Sequence, residues 1–269
     1  MIMNAVRYTE LDDARLGTAL VPALTIGCRI LDALARAEHE APTLTEVARE
    51  LGVPKSTVHN QLSTLQANGF VHRDEATRRY RLGANLISLG LAAGRQLRSA
   101  TLAGERLPGL AAEHRATFGV AQVAEPLEAI LVNSAYPSTD MHVGLTLGSR
   151  YGVFHGAVGK CLLAALDRSE AERIVRDRGI PRATAQTIDP EALLGDLEEA
   201  RTRGWATNAG ELKENHAVAS PVFDHAGALE LVVFVVGFPS QLPLDRFDDL
   251  GALLRGTAEE IERATGVSR

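Results

Sequence analysis

A run of small hydrogen-bonding side chains lies near the start of the chain, in the segment GVPKSTVHNQL at residues 52–62. Hydroxyls, amides and an imidazole donate and accept hydrogen bonds at short range, and a lysine adds a positive charge. Side chains this short let a helix backbone approach DNA, where an amide pairs with adenine and hydroxyls bind phosphate. These residues are therefore suited to contact double-stranded DNA. The candidates are Lys55, Ser56, Thr57, His59, Asn60 and Ser63.

Two short helices joined by a tight turn would present these side chains. Apolar residues in the stretch 43–51 repeat at helical spacing, and Gly52 suits the left-handed residue that ends a helix. Pro54 favours the first position of the next helix, whose buried face would carry Val58 and Leu62. The spacing therefore predicts a helix-turn-helix, with the polar side chains on the outer face of its second helix.

A basic hairpin is predicted directly after these helices. The stretch FVHRDEATRRYRLG at residues 70–83 has two strand-like ends around a loop that carries Arg78 and Arg79. The whole chain has a formal net charge of -6, yet residues 55–98 carry seven lysines and arginines against two acidic residues. Because local positive charge attracts phosphate, we expect the two arginines to bind the DNA backbone as the wing of a winged helix-turn-helix.

The composition narrows the class of protein. The chain has 269 residues, of which 45% are hydrophobic, enough for two folded domains. No apolar run reaches the roughly 18 residues of a membrane span, and the first residues lack a signal-peptide pattern, so we expect a cytoplasmic protein with no membrane contact. Cys28 and Cys161 lie in apolar surroundings, which indicates reduced core thiols. The eight scattered histidines indicate no metal site, and we expect no cofactor.

The second half of the chain predicts a mixed α/β domain. Strand-like runs such as GVAQVAE and LELVVFVVG alternate with helical stretches. The segment DPEALLGDLEEARTRG begins with Asp189 as a helix N-cap and Pro190 at the first helical position. A terminal helix is predicted over about residues 243–264.

Several segments resemble those of the IclR family of bacterial and archaeal transcriptional regulators. The run LTEVARELGVPKSTVHNQLSTLQANGFVHRDEATRRYRLG is similar to the family's winged helix-turn-helix. GSRYGVFHGAVGKCLLAAL, IDPEALLGDLEEARTRGWATNAGEL and AVASPVFDHAGALELVVFVVGFPSQL are similar in order and spacing to its effector-binding domain. The resemblance covers about residues 24–265 and implies an α/β protein. Its expected parts are an N-terminal tail (1–21), a winged helix-turn-helix domain (22–83), a linker helix (84–98) and a GAF-like mixed α/β effector-binding domain (99–269).

The resemblance also implies a set of effector contacts. Asn208 stands where many members have an acidic residue, Ala217 where many have a cysteine, and Phe234 and Val236 where many have hydroxyls. Because a bound carboxylate needs such donors, we expect a larger, more apolar or aromatic effector. His155 either lines this pocket or is satisfied by neighbouring backbone. The implied effector-binding residues are His155, Ala157, Val158, Asn208, Ala217, Phe234 and Val236.

Taken together, these features predict a ligand-responsive transcriptional regulator that binds an operator and more often acts as a repressor. A single winged helix offers few base contacts, so we expect a homodimer or homotetramer, with residues 22–37 as a candidate dimer contact. Two alternatives remain open at this point. The first alternative is a small-molecule sensor that does not bind DNA, because Asn60 replaces an arginine that many relatives carry. The second alternative is a hydrolase that uses Cys161, although the apolar run CLLAAL argues against a reactive thiol.

Overall fold

The structure is a computed structural model of the chain and describes residues 21–37, 40–125, 127–182, 184–211 and 214–267. The predicted N-terminal tail lies outside these residues, apart from Val21. The chain divides into two compact units between Ala93 and Gly94. This division falls within the range 84–98 that was predicted as the linker helix.

Within the described residues, the first unit begins with three helices, continues with a two-stranded antiparallel hairpin and ends in the start of a further helix. This order of elements is that of a winged helix-turn-helix, as the sequence predicted. Its core is apolar and includes Ile30, Val47, Val58, Leu62 and Val71. The elements are α1 (Pro22–Ala35), α2 (Leu44–Leu51), α3 (Lys55–Ala67), β1 (Val71–Arg73) and β2 (Tyr80–Leu82).

Local signals in the sequence fix where α2 and α3 begin and end. The Thr43 hydroxyl accepts a hydrogen bond from the Glu46 amide, and the Glu46 carboxylate accepts one from the Thr43 amide at 2.8 Å, a capping box. These hydrogen bonds hold the pKa of Glu46 below its ordinary value. Gly52 ends α2 with φ of 66°, and Pro54 immediately precedes α3 rather than opening it.

Two further helices follow the hairpin. α4 (Asn85–Gln96) crosses the division between the units and buries none of its residues. Leu97 separates it from α5 (Arg98–His114), whose buried residues include Ala103, Leu107 and Ala111. The residues predicted as one linker helix are therefore occupied by α4, a break at Leu97 and the first residue of α5.

The second unit is built on one antiparallel sheet. Its strands are β3 (Thr117–Glu125), β4 (Glu128–Ala135), β5 (Arg150–Gly152), β6 (Ala206–Ala209), β7 (His216–Phe223) and β8 (Leu229–Gly237). They lie in the order β5-β4-β3-β8-β7-β6, so the first and last parts of the domain meet where β3 pairs with β8. Because side chains alternate along a strand, the longer strands contribute to two cores, one on each face of the sheet.

Helices cover both faces of this sheet, which confirms the mixed α/β domain. On one face, Cys161, Leu162 and Leu197 join Phe234 and Val236 of β8 in one core. On the other face, Leu107 and Leu254 pack with Val235 and its neighbours in a second core. The helices of the first face are α6 (Gly156–Ala164), α7 (Arg168–Arg178) and α8 (Pro190–Arg203); α5 and α9 (Phe247–Ala264) cover the second.

The helix ends of this unit follow the sequence signals closely. The Asp189 carboxylate accepts a hydrogen bond from the Ala192 amide at 2.8 Å, and Pro190 opens α8, as predicted. A short 3-10 turn (Leu244–Arg246) precedes α9, so the predicted terminal helix begins a few residues later than its sequence pattern suggested. Within the described residues, no helix is both long and apolar enough to cross a lipid bilayer.

Candidate DNA-binding and effector-binding sites

The outer face of α3 carries the side chains that the sequence singled out. Five of them are exposed, whereas Thr57 is half-buried. The helix is held from the inside by Val58 and Leu62, which are 0% and 1% exposed. The short polar residues are therefore free to meet a partner because the apolar residues of the same helix meet the core. The exposed residues are Lys55, Ser56, His59, Asn60 and Ser63.

The direction of each side chain follows from helical spacing. At 3.6 residues per turn, Asn60 lies almost directly opposite the buried pair Val58 and Leu62. Ser56 and Ser63 lie within about 60° of the Asn60 direction, so these three residues form the outermost line of the helix. We refer to Ser56, Asn60 and Ser63 as the outer line of α3. An amide flanked by two hydroxyls there has the donors and acceptors that base edges and phosphates require.

The wing is closed by an aspartate. The Asp74 carboxylate accepts hydrogen bonds from the amides of Ala76 and Thr77 at 2.8 and 3.0 Å, which lowers its pKa. The hairpin strands pair Val71 with Leu82. Arg78 follows the turn with φ of 57°, an uncommon conformation for a residue with a side chain, and is exposed.

Arg79 differs from its neighbour, because its guanidinium is engaged within the domain. One nitrogen donates to the Ala41 carbonyl at 2.7 Å, and another lies 2.7 Å from the Glu40 carboxylate. The Glu46 carboxylate is 3.6 Å from the same group, and the side chain is 26% exposed. The sequence treated Arg78 and Arg79 alike, whereas this geometry favours Arg78 as the phosphate contact and gives Arg79 a structural role.

Four of the seven implied effector residues share one face of the sheet. Asn208 pairs with Ala217, and Ala217 pairs with Val236, so these three form one row across β6, β7 and β8. Phe234 lies two residues before Val236 and therefore points to the same side. Ala157 and Val158 begin α6, which packs on that side, and both are buried.

An aromatic cluster connects this face to His155. The Phe234 ring contacts the Tyr151 ring edge-on at 5.8 Å, and the Tyr151 ring lies 4.5 Å from that of His155. Burial raises the pKa of Tyr151 to about 12. The sequence did not identify Tyr151; its hydrophobic neighbours mark it as a core residue, but nothing local links it to Phe234.

Phe234 also occupies space that a smaller residue would leave open. A Cβ at Gly119 would lie 2.4 Å from the tip of the Phe234 ring, so the ring packs directly on the Gly119 backbone. This packing supports an apolar character for the site.

Asn208 contributes a polar group that nothing in the described residues satisfies. It is 2% exposed, its amide nitrogen donates to the Asn215 carbonyl at 2.9 Å, and its Oδ1 is buried without a hydrogen-bond partner. A Cβ at Gly156 would lie 3.3 Å from this Oδ1, so the start of α6 approaches Asn208 closely. Buried oxygens are seldom left unpaired, which makes Asn208 a candidate to accept a hydrogen bond from a ligand.

A small cleft of about 30 Å³, open to solvent, lies beside α6. None of the seven implied effector residues lines it, although Gly156, which lies between His155 and Ala157, does. Its inner wall carries Lys160, which was not identified from the sequence. The lining residues are Val153, Phe154, Gly156, Lys160, Ile180, Pro181, Thr187, Ile188, Leu193 and Glu211.

The two cysteines have different environments. Cys161 is 2% exposed, its Sγ lies 3.5 Å from the Ala219 carbonyl oxygen, and burial raises its pKa to about 12. Such a thiol is a poor nucleophile at neutral pH. Cys28 is exposed on α1, so the prediction that both cysteines are core thiols is wrong for Cys28. Its neighbours in sequence are apolar, but α1 turns this position away from the core.

Among the described residues, no His, Cys, Asp and Glu side chains group closely enough to hold a metal ion.

A winged helix-turn-helix with a polar outer face, followed by an α/β domain with a cleft and a buried unsatisfied amide, defines a DNA-binding protein that senses small molecules. The family described as "IclR helix-turn-helix domain" matches residues 23–75, and "Bacterial transcriptional regulator IclR C-terminal" matches residues 102–263. The chain belongs to the IclR family of transcriptional regulators, as its sequence resemblance predicted.

Individual relatives agree with this assignment. The HTH-type transcriptional repressor AllR of Salmonella paratyphi A is 30% identical over 247 residues, which are 91% of this chain and 90% of that protein. The crystal structure of an IclR transcriptional regulator from Alicyclobacillus acidocaldarius is 31% identical, with a TM-score of 0.82 over 92% of this chain and 100% of that one. An IclR homologue from Microbacterium hydrocarbonoxydans, solved in complex with 4-hydroxybenzoate, shares the fold at 24% identity, with a TM-score of 0.72 over 91% of this chain and 100% of that one.

Proposed function

We propose that this regulator is a repressor whose outer line on α3, Ser56, Asn60 and Ser63, reads the operator and whose Arg78 binds the adjacent phosphates. The observation that carries the proposal is the exposure of this polar line on a helix that Val58 anchors in the core. Lys55 and His59 flank the line and add donors toward the backbone. The repressor role is inferred from AllR, the relative that shares 30% identity with this chain over most of its length.

The effector is a small apolar or aromatic molecule bound on the α6 face of the sheet. Phe234, Val236 and Ala217 supply an apolar floor, and Asn208 supplies one polar contact. Ala157 and Val158 close the site from the start of α6, where no side chain caps the first turn. His155 contributes its ring through its contact with Tyr151. A site of this composition favours ligands that bury apolar surface, and it offers few hydrogen-bond partners to a small carboxylate.

The regulator acts as a symmetric dimer, or as a pair of dimers, in the cytoplasm, where its DNA is. Two-fold symmetry doubles the number of base contacts and matches a near-palindromic operator. The first unit exposes large apolar side chains that a second copy would cover: Leu24 on α1 is 68% exposed, and Ile87 and Leu91 on α4 are 66% and 62% exposed. Patches of this kind on a protein surface mark interaction sites.

Effector binding changes operator affinity by favouring one of two states of the assembly. A coupling of about 1–3 kcal/mol between the two sites gives a five- to hundredfold change in operator occupancy. By linkage, the operator changes the affinity for the effector by the same factor.

A DNA-selection experiment on the full-length protein, repeated with a panel of aromatic, aliphatic and keto acids and amines, tests the proposal. We expect enrichment of a near-palindrome, and loss of enrichment for a variant in which Ser56 and Asn60 are both replaced by alanine. A matched variant with Gln66→Ala, an exposed position near the end of α3 and away from the outer line, should retain enrichment. Equal enrichment by all three proteins would refute the proposed reading helix.

A further inference from the structure

We propose that the cleft beside α6 binds a small primary amine with an apolar or aryl body, and that Glu211 accepts hydrogen bonds from its ammonium group. The inference rests on the proposed function in taking the second unit as the effector-sensing domain, and it assigns a ligand to a pocket of that unit which none of the proposed effector residues lines.

Among the residues that the structure describes, the charged groups at the inner wall of the cleft sum to a net negative charge. The Lys160 side chain is 4% exposed, and its Nζ lies 2.6 Å from an Asp196 oxygen and 2.8 Å from a Glu211 oxygen. One cation is therefore shared by two carboxylates. A buried carboxylate without a full counter-charge is costly, so a second cation beside Glu211 would be favoured.

Glu211 is the carboxylate of this group that a ligand can reach. It lines the cleft and its side chain is 16% exposed, whereas Asp196 does not line it. Lys160 already donates hydrogen bonds to both carboxylates, so the groups at this wall that can still form hydrogen bonds are mainly carboxylate oxygens, which accept them. An ammonium group supplies three hydrogen-bond donors for these oxygens and a positive charge that balances the second carboxylate.

The start of α6 is part of the cleft wall. Gly156 lines the cleft, whereas Asn208, whose Oδ1 lies close to Gly156, does not. The positive field of the helix start would favour an anion here, but it falls off within the first turn, and Lys160 lies one turn further along α6. The carboxylate of Glu211 therefore dominates the electrostatics of the inner wall.

The remaining walls are suited to an apolar body. Phe154, Ile180 and Ile188 are half-buried around the opening, and Leu193 is 4% exposed beneath them. An alkyl or aryl group that covers these side chains gains apolar burial.

The loop that supplies Ile180 and Ile188 is fastened to the backbone at Glu211. The Thr184 hydroxyl donates to the Gly210 carbonyl at 2.7 Å, and the Thr187 hydroxyl donates to the Glu211 carbonyl at 2.9 Å. The apolar walls and the acidic wall are thus held together by direct hydrogen bonds.

Calorimetric titration of the full-length protein with three matched probes tests this inference. The probes are 2-phenylethylamine, 2-phenylethanol and phenylacetate, which keep an aryl body and change the charge of the head group. We expect the amine to bind about tenfold or more tightly than the alcohol, and the carboxylate to bind most weakly. Glu211→Gln should reduce the preference for the amine over the alcohol to less than about threefold, because Lys160 then has Asp196 alone as its charged partner.

Two controls keep the result specific. Glu191→Gln removes an exposed carboxylate of α8 outside the cleft and should leave the preference for the amine unchanged. Thermal unfolding of each variant shows whether the fold is retained, and a Glu211→Asp variant, which keeps the charge, should keep part of the preference. Absence of amine binding to the wild-type protein, or a carboxylate that binds as tightly as the amine, would overturn the inference.

The outcome can be separated from that of the proposed function. If phenylacetate binds tightly and changes operator binding, the regulator is an effector-responsive repressor and the amine inference fails. If the amine binds through Glu211 but the outer line of α3 does not affect operator binding, the proposed reading helix fails and the cleft assignment stands.

Discussion

At the scale of single residues, two adjacent arginines in the wing have different partners. Arg78 is exposed in a left-handed conformation, whereas Arg79 is held by Glu40, Glu46 and the Ala41 carbonyl. No carboxylate in the described part of the chain pairs with Arg78, so its guanidinium is available for phosphate. One that already bridges two carboxylates contributes to the fold instead.

We therefore predict opposite effects of two alanine substitutions. Arg78→Ala should weaken binding to operator and unrelated DNA alike and reduce the salt dependence of log Kd by about one per protomer, without lowering thermal stability. Arg79→Ala should lower the free energy of unfolding by about 1 kcal/mol, because a charged group loses its hydrogen bonds, and leave the salt dependence unchanged. Filter binding at several salt concentrations and urea unfolding measure these quantities. A larger change in salt dependence for Arg79→Ala than for Arg78→Ala would contradict this assignment.

The buried thiol gives a second prediction at this scale. In a Cys28→Ser variant, Cys161 is the one remaining thiol, and its pKa of about 12 leaves it protonated at pH 8. Roughly one molecule in ten thousand carries the thiolate at that pH. We expect no labelling by iodoacetamide at pH 8 in the folded protein and complete labelling after denaturation. Labelling of the folded protein within minutes would mean that Cys161 is a reactive thiol.

At the scale of elements, the pairing of β3 with β8 decides how the α6 side of the sheet is filled. Gly119 and Phe234 are register partners, so the ring of one strand lies over the bare backbone of the next. The strand positions follow from alternation of apolar residues. The complementarity between a glycine and an aromatic ring depends on the pairing of strands that are distant in sequence.

We predict that Gly119→Ala destabilises the protein by about 1–3 kcal/mol, because the new methyl group overlaps the Phe234 ring. Adding Phe234→Leu to this variant should recover most of the loss, and the double-mutant cycle measures the coupling between the two residues. Gly144→Ala is the control, because a Cβ there meets no atom within 4 Å, and it should change stability by less than about 0.5 kcal/mol. Additive effects of Gly119→Ala and Phe234→Leu would show that the ring does not pack on Gly119.

At the scale of the whole molecule, exposed apolar side chains on α1 and α4 support assembly through the first unit. We predict that Leu24→Glu lowers the assembled mass of the protein and weakens operator binding by more than about tenfold, because a buried unpaired carboxylate is unfavourable at an interface. Leu244→Glu, at a leucine of the second unit that is 60% exposed, should leave mass and binding unchanged. Analytical ultracentrifugation over a range of concentrations measures the mass. An unchanged mass for Leu24→Glu would exclude α1 from the contact.

Much of the architecture was predictable because its signals are short-range. Helix periodicity, the left-handed Gly52 and the Asp189 cap each depend on residues within one or two turns, and all three are present in the structure as predicted. The resemblance implied that Asn208, Ala217 and Val236 contact an effector, which stays a prediction; strand register places these three residues in one row. The exposure of Cys28 was missed because apolar neighbours in sequence do not determine which side of a helix faces the core.

Sequence alone thus determined the helices and strands, the polar outer line of α3 and the family, because each depends on patterns among residues close together in the sequence. The tertiary structure decided which charged side chains are already paired within the protein and which can still bind a partner. Arg79 finds its carbonyl partner 38 residues away, and Lys160 finds its two carboxylates 36 and 51 residues away. Contacts between residues so far apart exist only after the chain has folded, since only folding brings distant segments together, and no local pattern specifies which charges will meet.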